Sequence, residues 1–232
     1  RTLSIIADAI DNIYRSKNIK INIDDIPEND PKAFELFQKG ATIGIFQFES
    51  PGMQKYLKEL HPENIEDLIA MNALYRPGPM DNIPSFIDRK QGREKIEYPH
   101  ELLVDILKPT YGIMVYQEQI MQAAQRCAGF TLGKADILRR AMGKKKMDVM
   151  ASMKAEFIEG CKKTNNIDEQ KATEIFDIME KFASYGFNRS HSAAYAVIAY
   201  RTAYLKGNYP AEFMASVLTH NQNDTKKITA LT

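Results

Sequence analysis

The amino-acid sequence predicts a mainly α protein, an irregular assembly of many helices with at most a minor β element. Three observations carry that reading. Apolar residues recur at the three- and four-residue spacing of helix faces along most of the chain. Residues suited to opening a helix stand just ahead of several such segments. Strand-like alternation is never sustained, which argues against a parallel α/β sheet.

In chain order, Leu3, Ile6, Ile10 and Ile13 mark an amphipathic helix over residues 2–16. A loop with Pro27 and Pro31 follows, and Asp30-Pro31 opens a short helix over 32–39. "ATIGIFQFES" alternates and is rich in Ile and Phe, so it reads as a short strand or a buried extended piece. Ser50 is the expected N-cap of the next helix, with Pro51 at its first position, and "NIEDLIAMNALY" is helical again. The prolines of "RPGPMDNIPSF" exclude regular structure there. A turn at "KPTYG" leads to a helix from about Tyr116. A helix over 134–142 ends near Gly143, and Asp148 is positioned to cap its successor, whose apolar face carries Met150, Met153, Phe157 and Cys161. Residues 168–184 repeat the helical pattern. "SYGFNRSHSAAYAVIAYRTAYLK" is a turn and then an apolar helix, Pro210 opens the last helix, and "THNQNDTKK" reads as a frayed end.

With 232 residues, 44% hydrophobic and 26% charged, the chain can bury a sizeable core. It lacks an initiator Met and a signal-like start, and is expected to be a piece of a longer polypeptide. No apolar run has the length of a membrane span. Cys127 and Cys161 show no CxxC spacing and are expected to be buried thiols of a reducing compartment. The four histidines are scattered, and no zinc or other metal site is expected.

The formal net charge is only +1, yet residues 134–163 carry 9 Lys/Arg against 4 Asp/Glu. A local excess of this kind points to a defined anionic contact. Its centre is "ADILRRAMGKKKMD", which holds Arg139, Arg140, Lys144, Lys145 and Lys146. One reading is a solvated helix end, with Asp136 pairing to Arg140 and the lysines complementing the helix dipole. The other is a phosphate clamp. Adjacent arginines point about 100° apart on a helix. Asp136 then neutralises at most one of them well, and guanidinium donors match phosphate oxygens.

"YGFNRSHSAAYAV" has the same two faces. Asn188, Ser190 and Ser192 are each placed to cap a helix whose start attracts anions, and Arg189 and His191 stand at that end. This is either a polar cap or a second phosphate contact, with His191 a candidate proton donor to a leaving group. Arg76, in a Pro/Gly loop, and Gln117, in "YGIMVYQEQIM", are placed to touch nucleic acid or to pin loops. No D-x-D pair and no Gly-rich phosphate loop occurs, so a complete phosphotransferase site is not expected within the chain.

Taken together, "GIFQFES", "ALYRPGP", "PTYGIMVYQEQIMQ", "ADILRRAMGKKK", "KFASYGFNRSHSAAYAVIAYRTAYLK" and "YPAEFMASVLT" resemble the bacterial C-family replicative DNA polymerases, the DNA polymerase III alpha subunits, in order along nearly the whole chain. The resemblance implies that residues 1–232 are the fingers domain, with sub-lobes at 1–110 and 111–232, and that palm and thumb are absent. It implies binding of the incoming dNTP by Arg139, Arg140, Lys144, Lys145, Asn188, Arg189 and His191. It implies contact with primer-template DNA through Arg76, Gln117 and Lys146. Mg²⁺ in the intact enzyme would sit on palm aspartates outside the chain, leaving the isolated fragment inactive. Implied partners are dNTP, primer-template DNA, the palm and thumb of the same chain, and the sliding clamp and clamp loader. The expected location is the bacterial cytoplasm, at the nucleoid. The competing expectation is a non-catalytic helical nucleic-acid-binding module, which the near-neutral total charge disfavours.

Overall fold

The computed structural model describes every residue except 145, 184, 225–227 and 230–232, with the Met147 side chain also outside the described set. The regular structure of its described part is α-helix with four short 3-10 turns, apart from one isolated parallel bridge between Tyr116 and Phe187. Twelve α-helices appear among the described residues: α1 (Thr2–Lys17), α2 (Pro31–Gln38), α3 (Pro51–Leu60), α4 (Ile65–Leu74), α5 (Ile83–Lys90), α6 (Val104–Leu107), α7 (Gln117–Ala128), α8 (Leu132–Gly143), α9 (Met147–Asn165), α10 (Glu169–Ala183), α11 (Arg189–Asn208) and α12 (Pro210–Thr219). Among the described residues no helix is long and apolar enough to cross a membrane.

Local chemistry explains several boundaries. Asp30 Oδ1 accepts from Ala33 N at 2.8 Å and Ser50 Oγ from Met53 N at 3.3 Å, each with proline at the first helical position. Thr131 caps α8 in the same way, accepting from Lys134 N at 3.2 Å. Gly129 ends α7 in the left-handed region, at φ 67°.

Three sequence expectations shift. "RPGPMDNIPSF" is not irregular throughout: Pro79–Asn82 form a 3-10 turn and Ile83 opens α5 with Pro84 at its second position, because proline is tolerated in a first turn whose N–H groups have no helical partner. "ATIGIFQFES" is a chain of turns, not a strand, because Gly44 and Gln47 take φ of 82° and 68° and bend the backbone. Ile45 and Phe48 are still buried, and Thr42 Oγ1 closes the segment by donating to Phe48 O at 2.6 Å. Asp148 lies in the first turn of α9, not at its cap, which is Lys146; there its charge still complements the helix dipole.

The chain divides into two compact units, residues Arg1–Asn72 with Ala193–Thr232, and residues Ala73–Ser192. The first is built on α1 against α12, with Ile6, Ala9, Ile13, Leu205, Phe213 and Val217 at its centre. A second cluster there stacks Phe34, Phe37, Phe48 and Tyr200, and the Tyr200 hydroxyl donates to Pro27 O and accepts from Asp30 N.

The second unit packs α7, α8, α9 and α10 around one core. Leu103 and Leu107 belong to that core, so the unit includes residues on both sides of the expected sub-lobe boundary at 110. α9 approaches α7 closely enough that a Cβ on Gly160 would stand 2.4 Å from Ala128 O. Asn165 Nδ2, at the end of α9, donates to Arg126 O and Cys127 O at the open end of α7. Buried Gln119 ties the preceding loop to α7. Its Oε1 accepts from Val115 N and Tyr116 N at 2.8 and 3.0 Å, and its Nε2 donates to Thr110 Oγ1 and Ile106 O. Every polar atom of that buried amide has a partner, which is what makes it tolerable in a core.

Candidate functional site

The start of α7 joins two cation-bearing segments of the second unit. Gln117 N donates to Phe187 O at 2.9 Å, and Phe187 N donates to Val115 O at 3.1 Å. These bonds form the isolated bridge and dock the residues ahead of α11 alongside residues 115–117. Gly186 permits the approach, because a Cβ there would stand 3.2 Å from Gln117 Cγ.

On α8, Asp136, Arg139 and Arg140 form one charged cluster. Asp136 Oδ1 accepts from Arg139 Nε at 3.0 Å and Nη2 at 2.7 Å, while Oδ2 faces Arg140 Nη2 at 2.8 Å. The carboxylate therefore serves both guanidiniums. This corrects the expectation of a single good partner, and the reason is geometric: spacings of three and four both fall on one helix face, and a carboxylate has two oxygens. Arg139 also donates from Nη1 to Gln117 Oε1 at 3.2 Å. Its side chain is 22% exposed, against 66% for Arg140. The hydrogen bond from Arg139, joined by the charges of both arginines, holds the Asp136 carboxyl below the ordinary carboxylate value despite some desolvation. Lys144 and Lys146 are exposed beyond the helix end, and Lys145 lies outside the described residues.

At the start of α11, Asn188 is the cap: its Oδ1 accepts from His191 N at 2.8 Å. Ser192 is buried and lies inside α11, past its cap position. The anion-attracting end is already met by a carboxylate. Glu118 Oε1 accepts from Asn188 Nδ2 at 2.8 Å, and its two oxygens stand 3.2 and 3.0 Å from Arg189 N. The Arg189 guanidinium lies over the Tyr116 ring at 5.8 Å, and the His191 ring meets Phe187 edge-on at 5.4 Å.

Arg76 holds the same segment. It stacks on the Phe187 ring at 4.4 Å, donates from Nε to Ala73 O at 3.0 Å and from Nη2 to Tyr185 O. Burial lowers its pKa, with the guanidinium remaining charged at any physiological pH. Of the roles open to Arg76 and Gln117 in the sequence, loop pinning is the one these bonds perform. Among the described residues no group of three or more His, Cys, Asp or Glu side chains is placed to hold a metal ion.

The arrangement thus brings Arg139, Gln117, Asn188, Arg189, His191 and Arg76 around residues 115–118 and 185–187. Residues 2–165 match the family model described as the bacterial DNA polymerase III alpha subunit finger domain. The chain belongs to that family.

Three relatives extend the match past residue 165. The DNA polymerase III subunit alpha of Borreliella burgdorferi is 53% identical over 228 residues, covering 98% of this chain and 20% of the relative. That of Bacillus subtilis is 52% identical over 229 residues, with 98% and 20% covered. That of Escherichia coli is 51% identical over 242 residues, with 100% and 21% covered. The chain spans about a fifth of the length of these relatives. Within the finger domain, sequence reasoning assigned no role to Glu118. The available signal was an acid in the first turn of a helix, but its partners Asn188 and Arg189 are 70 and 71 residues away.

Proposed function

We propose that this finger domain holds the triphosphate of an incoming dNTP for template-directed DNA synthesis by the intact polymerase. The observation that carries the reading is the shared carboxylate of Asp136: two guanidiniums on one carboxylate leave a net positive charge at the exposed Arg140. A triphosphate offers oxygens for bidentate contact with such a pair. Lys144 and Lys146 extend the positive field, and Lys145 is assigned with them on the resemblance. Arg189 and His191 flank the same α7 start, where His191 is the candidate proton donor to departing pyrophosphate and Asn188 fixes their helical turn.

Primer-template DNA is assigned to Lys146 and to the loop held by Arg76 and Gln117. The acids of the site do not suit a metal: Asp136 faces two guanidiniums and Glu118 takes amide donors. On the resemblance, Mg²⁺ is assigned to palm carboxylates outside this chain, and the isolated chain is expected to lack polymerase activity. Palm and thumb, the sliding clamp and the clamp loader are the assigned partners, at the nucleoid in the cytoplasm.

In this division of labour the finger domain supplies fixed positive partners for phosphate charge as water is excluded. Steady-state primer extension by a full-length polymerase carrying Arg139→Ala with Arg140→Ala tests the reading. It predicts a rise of at least tenfold in KM for dNTP. An unchanged KM contradicts it.

A further inference from the structure

We infer that Glu118 is a positioning residue of the nucleotide site, a role that rests on the reading above. Three consecutive residues at the start of α7 each hold part of the cation array. Tyr116 lies beneath the Arg189 guanidinium at 5.8 Å. Gln117 accepts from Arg139 Nη1 at 3.2 Å. Glu118 accepts from the Asn188 side chain and the Arg189 backbone at 2.8 to 3.2 Å. The same tripeptide is pinned from below, since Gln119 Oε1 accepts from Tyr116 N at 3.0 Å and is itself buried. A rigid support therefore lies under a surface array of long cationic side chains.

Glu118 holds the backbone of the α11 start, where Asn188 already spends its Oδ1 on His191 N. The Asn188 amide is thus clamped at both ends, by the helix it caps and by the carboxylate. With the first turn fixed, Arg189 and His191 leave the backbone from a defined place. The carboxylate also takes the Arg189 N–H, so a bound phosphate is directed to side-chain donors and not to that amide. Ordering before binding reduces what the ligand must organise on arrival.

Full-length polymerase carrying Glu118→Ala or Glu118→Gln tests this by primer extension, with melting temperature and primer-template Kd measured alongside. Glu118→Gln keeps the oxygen that accepts from Asn188 Nδ2 at 2.8 Å and from Arg189 N at 3.2 Å, and loses only the second oxygen, 3.0 Å from Arg189 N. The expected result is a KM for dNTP raised about tenfold in Glu118→Ala, with kcat and primer-template Kd within about twofold, and within about threefold of wild type in Glu118→Gln. An unchanged or lowered KM in Glu118→Ala overturns the inference, and so does a joint loss of kcat and melting temperature in both variants. If Glu118→Ala alone melts early, Glu118→Asp carries the test, with a smaller KM rise expected and no rise overturning the role. A rise in Arg139→Ala/Arg140→Ala without one in Glu118→Ala refutes the positioning role alone; no rise in either refutes the triphosphate reading.

Discussion

The carboxylate of Glu118 takes the backbone N–H of Arg189 between its two oxygens, at 3.2 and 3.0 Å, across 71 residues of sequence. A helix start that would attract an external anion is met by an internal one, and its capping asparagine is bonded to the same group.

That relationship makes Asn188→Asp informative. Aspartate caps helices as well as asparagine does. Here it would set a carboxylate where Nδ2 now donates to Glu118 Oε1 at 2.8 Å. The substitution should destabilise by about 1 kcal/mol, the site being exposed enough for solvent to screen the repulsion. Glu118→Gln in the same chain should recover most of the loss. Urea denaturation of the two single variants and the double variant measures the coupling; strict additivity would refute it.

The contact of α9 with α7 predicts opposite effects for two glycines. Gly160→Ala gains helix propensity but drives its Cβ to 2.4 Å from Ala128 O, a backbone atom that no rotamer change removes. Overpacking of this kind costs about 1–3 kcal/mol and outweighs the ~1 kcal/mol propensity gain. Gly133→Ala on α8 meets nothing within 4 Å. It should be neutral or stabilising by up to about 1 kcal/mol. Thermal melting distinguishes the pair.

Buried thiols give the chain an alkaline limit. Burial pushes Cys127 up to about 11 and Cys161 to about 12, from an ordinary value of 9.0. Both thiols are free and buried in the core of the second unit. A folded-state value above the unfolded one means that the protonated thiol stabilises. The contribution is complete below pH 9 and is lost as pH rises through about 11 for Cys127. The loss for Cys127 is on the order of 2–3 kcal/mol. Urea midpoints at pH 8 and pH 10.5 should differ, and Cys127→Ala should reduce the difference, leaving the share that belongs to Cys161. An equal drop in that variant would place the sensitivity elsewhere.

Much of the fold was legible because its signals are local. Asp30-Pro31 and Ser50-Pro51 mark helix starts within two residues, and the apolar face of Phe157 and Cys161 repeats at helical spacing. "ATIGIFQFES" misled because Ile and Phe alternate along it, while a positive φ at Gln47 leaves no mark in the sequence. In the site, Asp136, Arg139 and Arg140 were readable from their spacing, although the two-oxygen sharing needed coordinates. Glu118 was not readable, since its partners arrive only when the bridge between Tyr116 and Phe187 forms.

The central claim, that Arg139 and Arg140 bind triphosphate, is tested most directly by binding without chemistry. In full-length polymerase stalled on a dideoxy-terminated primer-template, the Kd for the next complementary dNTP can be titrated for wild type and Arg139→Ala/Arg140→Ala. The account predicts a Kd at least tenfold weaker in the variant, with primer-template affinity within about twofold. Weakened primer-template binding with an unchanged dNTP Kd would contradict it.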